Sequence, residues 1–258
     1  IVSASAGKNL PKRTIDVASK MKGWTMGGSV QSTDPEVLKS IKRSNISSDA
    51  YREMIDVSNK QKNKKTHCEI ILGLSGDTKQ KHYESLRFGI DTNVNSLRMY
   101  QAMLLRGTEM ASKTSREEFG FVTKFRTIPG CVGEYSIYDK KHAIAEIEEI
   151  IVGSKTFSVE DYLDCRVMNL MIKTFYNNST FEEVYAMLRA INVSPFDCIL
   201  YIKEHSELYS DRINEILASF AKETTKDLYD TWEKANKFIL TPEILNKYLG
   251  GELGNNEL

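Results

Sequence analysis

The chain has 258 residues, with 35 Lys and Arg against 35 Asp and Glu, 41% hydrophobic and 27% charged residues. At this length a folded chain buries roughly 70 to 75% of the surface it exposes unfolded, so a core forms without a disulfide or metal staple, and disorder, collagen and a small disulfide scaffold are excluded. No run of about 18 apolar residues is present, and the opening Ile1-Val2-Ser3-Ala4-Ser5 resembles no export signal, so a soluble, cytoplasmic protein without a membrane span is expected. Zero net charge removes the simplest argument for a nucleic-acid partner, and nucleic acid is not expected. That neutrality is a cancellation: residues 1–133 hold 22 basic and 13 acidic side chains, and residues 134–258 hold 13 and 22. Such an asymmetry suits either an anionic ligand on the basic half or attraction between the halves.

The chain starts on Ile inside a strand-like run, Ile1 to Ala6, and reads as a fragment of something longer. Pro11 opens a helix with Ile15, Ala18 and Met21 on one side, ended by Gly23. Trp24 to Val30 is a second strand. Asp34-Pro35 is a cap and first-turn pair for a short helix carrying Val37, Leu38 and Ile41, and Ser47 or Ser48 caps a helix with Tyr51, Met54, Ile55 and Ser58. After the lysine-rich stretch Lys60 to Lys65, the nearly continuous apolar run Cys68 to Leu74 reads as a buried parallel strand. Thr78 caps a helix with Tyr83, Leu86 and Ile90, and Ser96 to Leu104 is a fourth strand. Strands alternating with helices predict βαβ crossovers and a parallel sheet or barrel.

Glu146 to Val152 fits one more strand. From Ser158 the signals are helical, with capping boxes at Ser158-x-x-Asp161 and Thr180-x-x-Glu183, apolar stripes through Leu163, Val167 and Leu170, through Ile199 and Ile202, and through Ile213, Ile216 and Phe220, and a last helix from Pro242. The predicted organisation is an α/β unit over 1–133, a connector over 134–157 and a helical region over 158–258. The cysteines, Cys68, Cys131, Cys165 and Cys198, and the histidines, His67, His82, His142 and His205, show no metal-ligand spacing; reduced, buried thiols are expected and no metal site of this chain alone.

Three segments carry chemistry. In Glu69-Ile70-Ile71-Leu72-Gly73-Leu74-Ser75-Gly76-Asp77-Thr78, a strand runs through Gly-x-x-Gly into a capped helix, and Glu69 is a lone acid on an apolar strand, costly unless paired. Ser29-Val30-Gln31-Ser32-Thr33-Asp34-Pro35, followed by Arg43, places hydroxyl and amide groups at the same carboxyl edge of the sheet. Tyr100 to Gly107-Thr108-Glu109 is a strand leading into a turn. A strand-end Glu in solvent and a plain N-cap account for these features equally well taken singly.

Together they resemble the radical S-adenosylmethionine enzymes. Gln31-Ser32 with Val37-Leu38 and Arg43, Glu69 through Gly73-Leu74-Ser75-Gly76-Asp77-Thr78, and Tyr100 with Gly107-Thr108-Glu109 match three family motifs in order over residues 1 to 110, with Ser75 and Asp77 replacing the usual Pro and Glu. The resemblance implies a partial TIM-type (β/α) barrel, about its third to sixth strands, followed by a mainly helical region. It implies S-adenosylmethionine contacts from Ser29, Gln31, Ser32 and Arg43 to ribose and the methionine carboxylate, from Glu69 and Ile71 to ribose and adenine, and from Gly73 and Ala102 beside them. The Cys-x-x-x-Cys-x-x-Cys segment that holds the family's [4Fe-4S] cluster has no counterpart here. The family reading therefore describes a parent enzyme that makes a 5'-deoxyadenosyl radical and abstracts hydrogen from an unknown small-molecule substrate, with this fragment inactive alone. The sequence beyond about residue 140 resembles the tail of cobalamin-associated members, so cobalamin is a further possible cofactor of the parent. The rival reading is a non-catalytic module whose helices bind a partner on a half-barrel platform, and an open strand edge at the start implies self-association.

Overall fold

The computed structural model describes residues 2–5, 13, 17, 20, 24–60, 65–177 and 179–253. Most of the expected helix after Pro11, the middle of the lysine-rich stretch and the last five residues lie outside them. Four strands, β1 (Val2–Ser5), β2 (Trp24–Gln31), β3 (Thr66–Leu72) and β4 (Ser96–Gln101), form one parallel sheet in sequence order. Helices α1 (Pro35–Ser40) and α2 (Ser48–Asn59) connect β2 to β3, and α3 (Lys79–Asp91) connects β3 to β4. Each begins where its sequence asks: Asp34 accepts from the amides of Glu36 and Val37, Ser47 from Ala50, and Thr78 from Lys81. Among the described residues the sheet stays open, so the structure shows a mixed α/β fold with a four-stranded parallel sheet and no closed barrel.

Next come a short helix, α4 (Lys113–Phe119), and a long antiparallel hairpin, β5 (Val122–Ile137) with β6 (Lys140–Gly153). The Glu146 to Val152 strand is the last half of β6, whereas β5 has no counterpart in the sequence reading. β5 runs straight through Gly133, where the boundary between the α/β unit and a connector was drawn. Pro129-Gly130 sits in a bulge between Thr127 and Val132 that carries the strand past a residue without a ladder donor, with Gly130 at φ +73°. The far end of β6 turns back onto the parallel sheet, where Met103 bridges Ile150, and the amides of Ile151 and Leu104 bond the carbonyls of Ala102 and Glu149.

The helical half comprises α5 (Val159–Phe175), α6 (Glu182–Ala190), α7 (Pro195–Glu204), α8 (Asp211–Lys226), α9 (Trp232–Ile239) and α10 (Pro242–Leu249). Its core is continuous with that of the sheet: Val30, Ile70 and Leu72 of the strands, Tyr51, Met54 and Leu86 of the crossover helices, and Tyr162, Met168, Ile172 and Phe196 of the later helices form one cluster. The Thr180-x-x-Glu183 box does not form, because α6 starts one residue later on Phe181, without a side-chain cap. No described helix is long and apolar enough to cross a membrane. Cys68 and Cys165 are buried as expected, but Cys131 and Cys198 are only half-buried, and all four are free thiols.

Candidate functional site

The alternation of a strand makes β3 two-faced. Cys68, Ile70 and Leu72 point under α2 and α3 and are fully buried, whereas Glu69 and Ile71 point to the opposite face and are only half-buried. Strand register extends this second face sideways, setting Ser29 and Arg98 beside Glu69 and Tyr100 beside Ile71. Parallel sheets are ordinarily covered on both sides. Here Tyr100 is 47% exposed and the Glu69 side chain 24%, while His67 on the same face is buried, so the face is open towards its Tyr100 end.

Glu69 is the centre of the polar groups on that wall. The Ser29 hydroxyl donates to its Oε2, and Arg98 Nη1 and His67 Nε2 lie 3.6 and 3.7 Å from its Oε1. Burial, and then the charge of Arg98, hold His67 below the ordinary histidine range, so at neutral pH the imidazole is uncharged and Arg98 is the cation facing the carboxylate. Behind Ser29, Arg43 donates to the Ser29 carbonyl and, at 3.3 Å, to Asn45 Oδ1, while Asn45 donates to the carbonyls of Val30 and Ser32 at 2.9 Å. Burial lowers the Arg43 pKa and the Glu69 charge opposes the shift. These bonds fix an irregular strand end, with a register shift between Ser29 and Gln31 and Gln31 at φ +62°.

The other expected residues divide by what their polar atoms do. Ser32 is buried; its hydroxyl accepts from the Asp34 amide at 3.2 Å and serves the turn into α1. Ala102 is buried and both its main-chain groups lie in the sheet ladder, its N–H donating to Leu72 and its carbonyl accepting from Ile151. Gly73, at φ +82°, turns the chain out of β3 beneath the Ile151 carbonyl, 3.4 Å from where a Cβ would stand. Ser29, Glu69, Ile71 and Arg43 are thus gathered at one end of the sheet, with Gln31 beside them on the strand bend. His67 and Arg98 were missed by sequence reasoning, although counting by two from Glu69 and from Tyr100 would have put each on the same face.

Glu109 of the Gly-Thr-Glu segment pairs with Lys42 at 2.7 Å on an exposed surface, linking the turn after β4 to the turn after α1. Asp77 is buried in the turn before α3; burial pushes its carboxyl up to about 7 against the opposing amides of Thr78 and Gly73. No group of three or more His, Cys, Asp or Glu among the described residues could hold a metal ion.

No known family model matches the chain. Over 135 residues it is 30% identical to the cobalamin-dependent radical SAM methyltransferase TokK of Streptomyces tokunonensis, a match that takes in 50% of this chain and 19% of that protein, so the chain spans about a fifth of its relative's length. The similarity relates the chain to radical S-adenosylmethionine proteins.

Proposed function

We propose that the uncovered face of the parallel sheet is the S-adenosylmethionine-binding wall of a radical SAM-related enzyme, in which β1 to β4 are strands of a partial TIM-type barrel. The observation that carries this reading is the meeting of Ser29 and Glu69, forty residues apart in sequence, on the open face of a parallel sheet beside a bent, hydrogen-bonded strand end. Glu69 has the acceptor capacity for a ribose diol once Ser29 and Arg98 share its remaining lone pairs. Ile71 and Tyr100 supply an apolar strip two residues further along, suited to adenine, and Gln31 offers an amide to the methionine end. Arg43 is a positioning residue that holds the Ser29 carbonyl.

With a [4Fe-4S] cluster, S-adenosylmethionine supplies a 5'-deoxyadenosyl radical. The cysteines of this chain do not fit that cluster, since Cys68 and Cys165 are buried in the core and no three of the four are close in sequence. The chain is therefore assigned cofactor binding and not cleavage. Cobalamin enters the proposal through the resemblance of the later sequence to cobalamin-associated members and through the relative's name. The rival reading, a partner-binding helical surface, draws on α8, which has no fully buried residue and leaves Ile213 and Ile216 exposed.

Calorimetric titration of the chain with S-adenosylmethionine tests the proposal. Saturable binding is expected, weakened about tenfold or more by Glu69→Ala because charge-assisted hydrogen bonds are worth roughly 1.5 to 3 kcal/mol, and weakened less by Glu69→Gln. Equal affinity in Glu69→Ala and the unaltered chain, or no binding at millimolar ligand, would sink it.

A further inference from the structure

Eight buried side-chain nitrogen or oxygen atoms among the described residues lack a hydrogen-bond partner, and five of them belong to three residues, His82, Arg166 and Asn169. Native structures leave few such atoms, and a cluster of them asks for an occupant. Arg166 and Asn169 are three apart on α5 and so share a face, with Tyr162 one turn before them. His82, on the first turns of α3, sits against Asn169 without a well-formed bond. His82 and Asn169 form a polar seam between α3 and α5, and Arg166, three residues before Asn169 on α5, borders that seam on the side of Phe220 of α8.

Arg166 is the unusual member. It is 3% exposed, yet no hydrogen bond or ion pair reaches it from any described residue, and the Phe220 ring lies 5.9 Å from the guanidinium carbon. Within its electrostatic reach lie Tyr162, a neutral hydroxyl that donates to Gln101, and a second cation, Arg126. Arg126 is neutralised by Glu148 at 2.6 Å. One positive charge is left uncompensated in a buried place, an arrangement that costs several kcal/mol unless a counter-ion is supplied. The lid over it is modest: Phe220 is half-buried and α8 contributes no fully buried residue.

We propose that this seam is a binding site for a carboxylate group, taken bidentately by the Arg166 fork with the Asn169 amide beside it. A guanidinium matches the two oxygens of a carboxylate or the paired oxygens of a phosphate. The single uncompensated charge favours the monoanion, and His82, kept uncharged at neutral pH by its burial, adds a hydrogen-bonding group without altering that balance. The site is independent of the Glu69 wall and does not need S-adenosylmethionine to be its ligand.

Acetate and inorganic phosphate, each titrated into the full chain at constant ionic strength against chloride, test this through the Nε–Hε resonance of Arg166, assigned by its absence in Arg166→Lys. The expected result is a saturable shift of that resonance with acetate, a melting temperature raised by acetate above the chloride control, and at least a tenfold loss of acetate affinity in Arg166→Met. No saturable shift, a response equal in Arg166→Met, or a response to phosphate alone overturns the proposal. Should Arg166→Met fail to fold, the resonance of the unaltered chain decides by itself.

Discussion

Gly27 and Gly28 of β2 are each small because a ring lies against them. A Cβ on Gly28 would fall on Cε2 of the buried Tyr51 ring, and one on Gly27 would fall on the His67 imidazole. The two glycines let β2 close onto α2 on one face and onto His67 on the other, and so set the position of Ser29 next to them. Gly28→Ala is expected to lower stability by about 1 to 3 kcal/mol, as overpacking of a dense core does, read as a lower urea midpoint with unchanged slope. Pairing it with Tyr51→Ala should recover part of that loss, because the clash partner is then gone. If the single variant melts like the unaltered chain, β2 is not seated in this way. At this scale the sequence made Glu69 legible, because a lone acid on an apolar strand stands out. It did not reveal Arg98 or His67 as its neighbours, since their placement depends on strand register and on which face is uncovered.

Helix starts at Asp34, Ser47, Thr78 and Ser158 were legible because each cap is a local bond, whereas Ser112, which caps α4 in the same way, went unread. Ser158 shows this fully: its hydroxyl accepts from the Asp161 amide at 3.0 Å, and the Asp161 carboxylate accepts from the Ser158 amide at 3.1 Å. This box starts α5, which carries Tyr162, Cys165, Met168 and Ile172 into the main core. Ser158→Ala should therefore cost about 1 kcal/mol, whereas Thr180→Ala, at a box that does not form, should leave chemical denaturation unchanged. Equal effects at the two positions would contradict the capping assigned here. The β5–β6 hairpin was illegible for the opposite reason. Its turn is Tyr138-Asp139, with φ +48° and +62°, so both residues adopt the left-handed geometry usually signalled by Asn-Gly or Asp-Gly. Its first strand is half-exposed along much of its length and interrupted by Pro129-Gly130, which leaves no period of two to read. Long-range pairing, not local propensity, holds it: Arg116 takes Glu149 by two bonds of 2.6 and 2.7 Å, and Thr123 donates to the same carboxylate.

Over the whole molecule, the opposed charges of the two halves are used between them. Lys79 meets Asp164, Arg87 meets Asp197, Arg116 meets Glu149, Lys124 meets Asp230 and Arg126 meets Glu148, in every pair a base from residues 1–133 and an acid from 134–258. Several are partly exposed and singly worth little, so they orient the halves while the shared apolar core holds them. Two buried groups near the start of α3 add opposed pH responses of their own. Burial raises Asp77 to about 7 and lowers His82 to about 4. For Asp77 the folded value lies above the unfolded one, near 4, so its contribution is complete below about pH 4 and lost as pH rises towards 7. For His82 the folded value lies below the unfolded one, near 6.5, so its contribution is complete above about 6.5 and lost as pH falls towards 4. Between about pH 4 and 6.5 the two slopes oppose each other, each close to 1.4 kcal/mol per pH unit at full effect, and the unaltered chain should show little net dependence from this pair. Asp77→Asn should uncover a stability that climbs from pH 4 to 6.5, and His82→Gln one that declines from pH 4 to 7. Urea unfolding across that range measures both, and two variants whose pH profiles run parallel to the unaltered chain would show that neither group titrates as its burial requires.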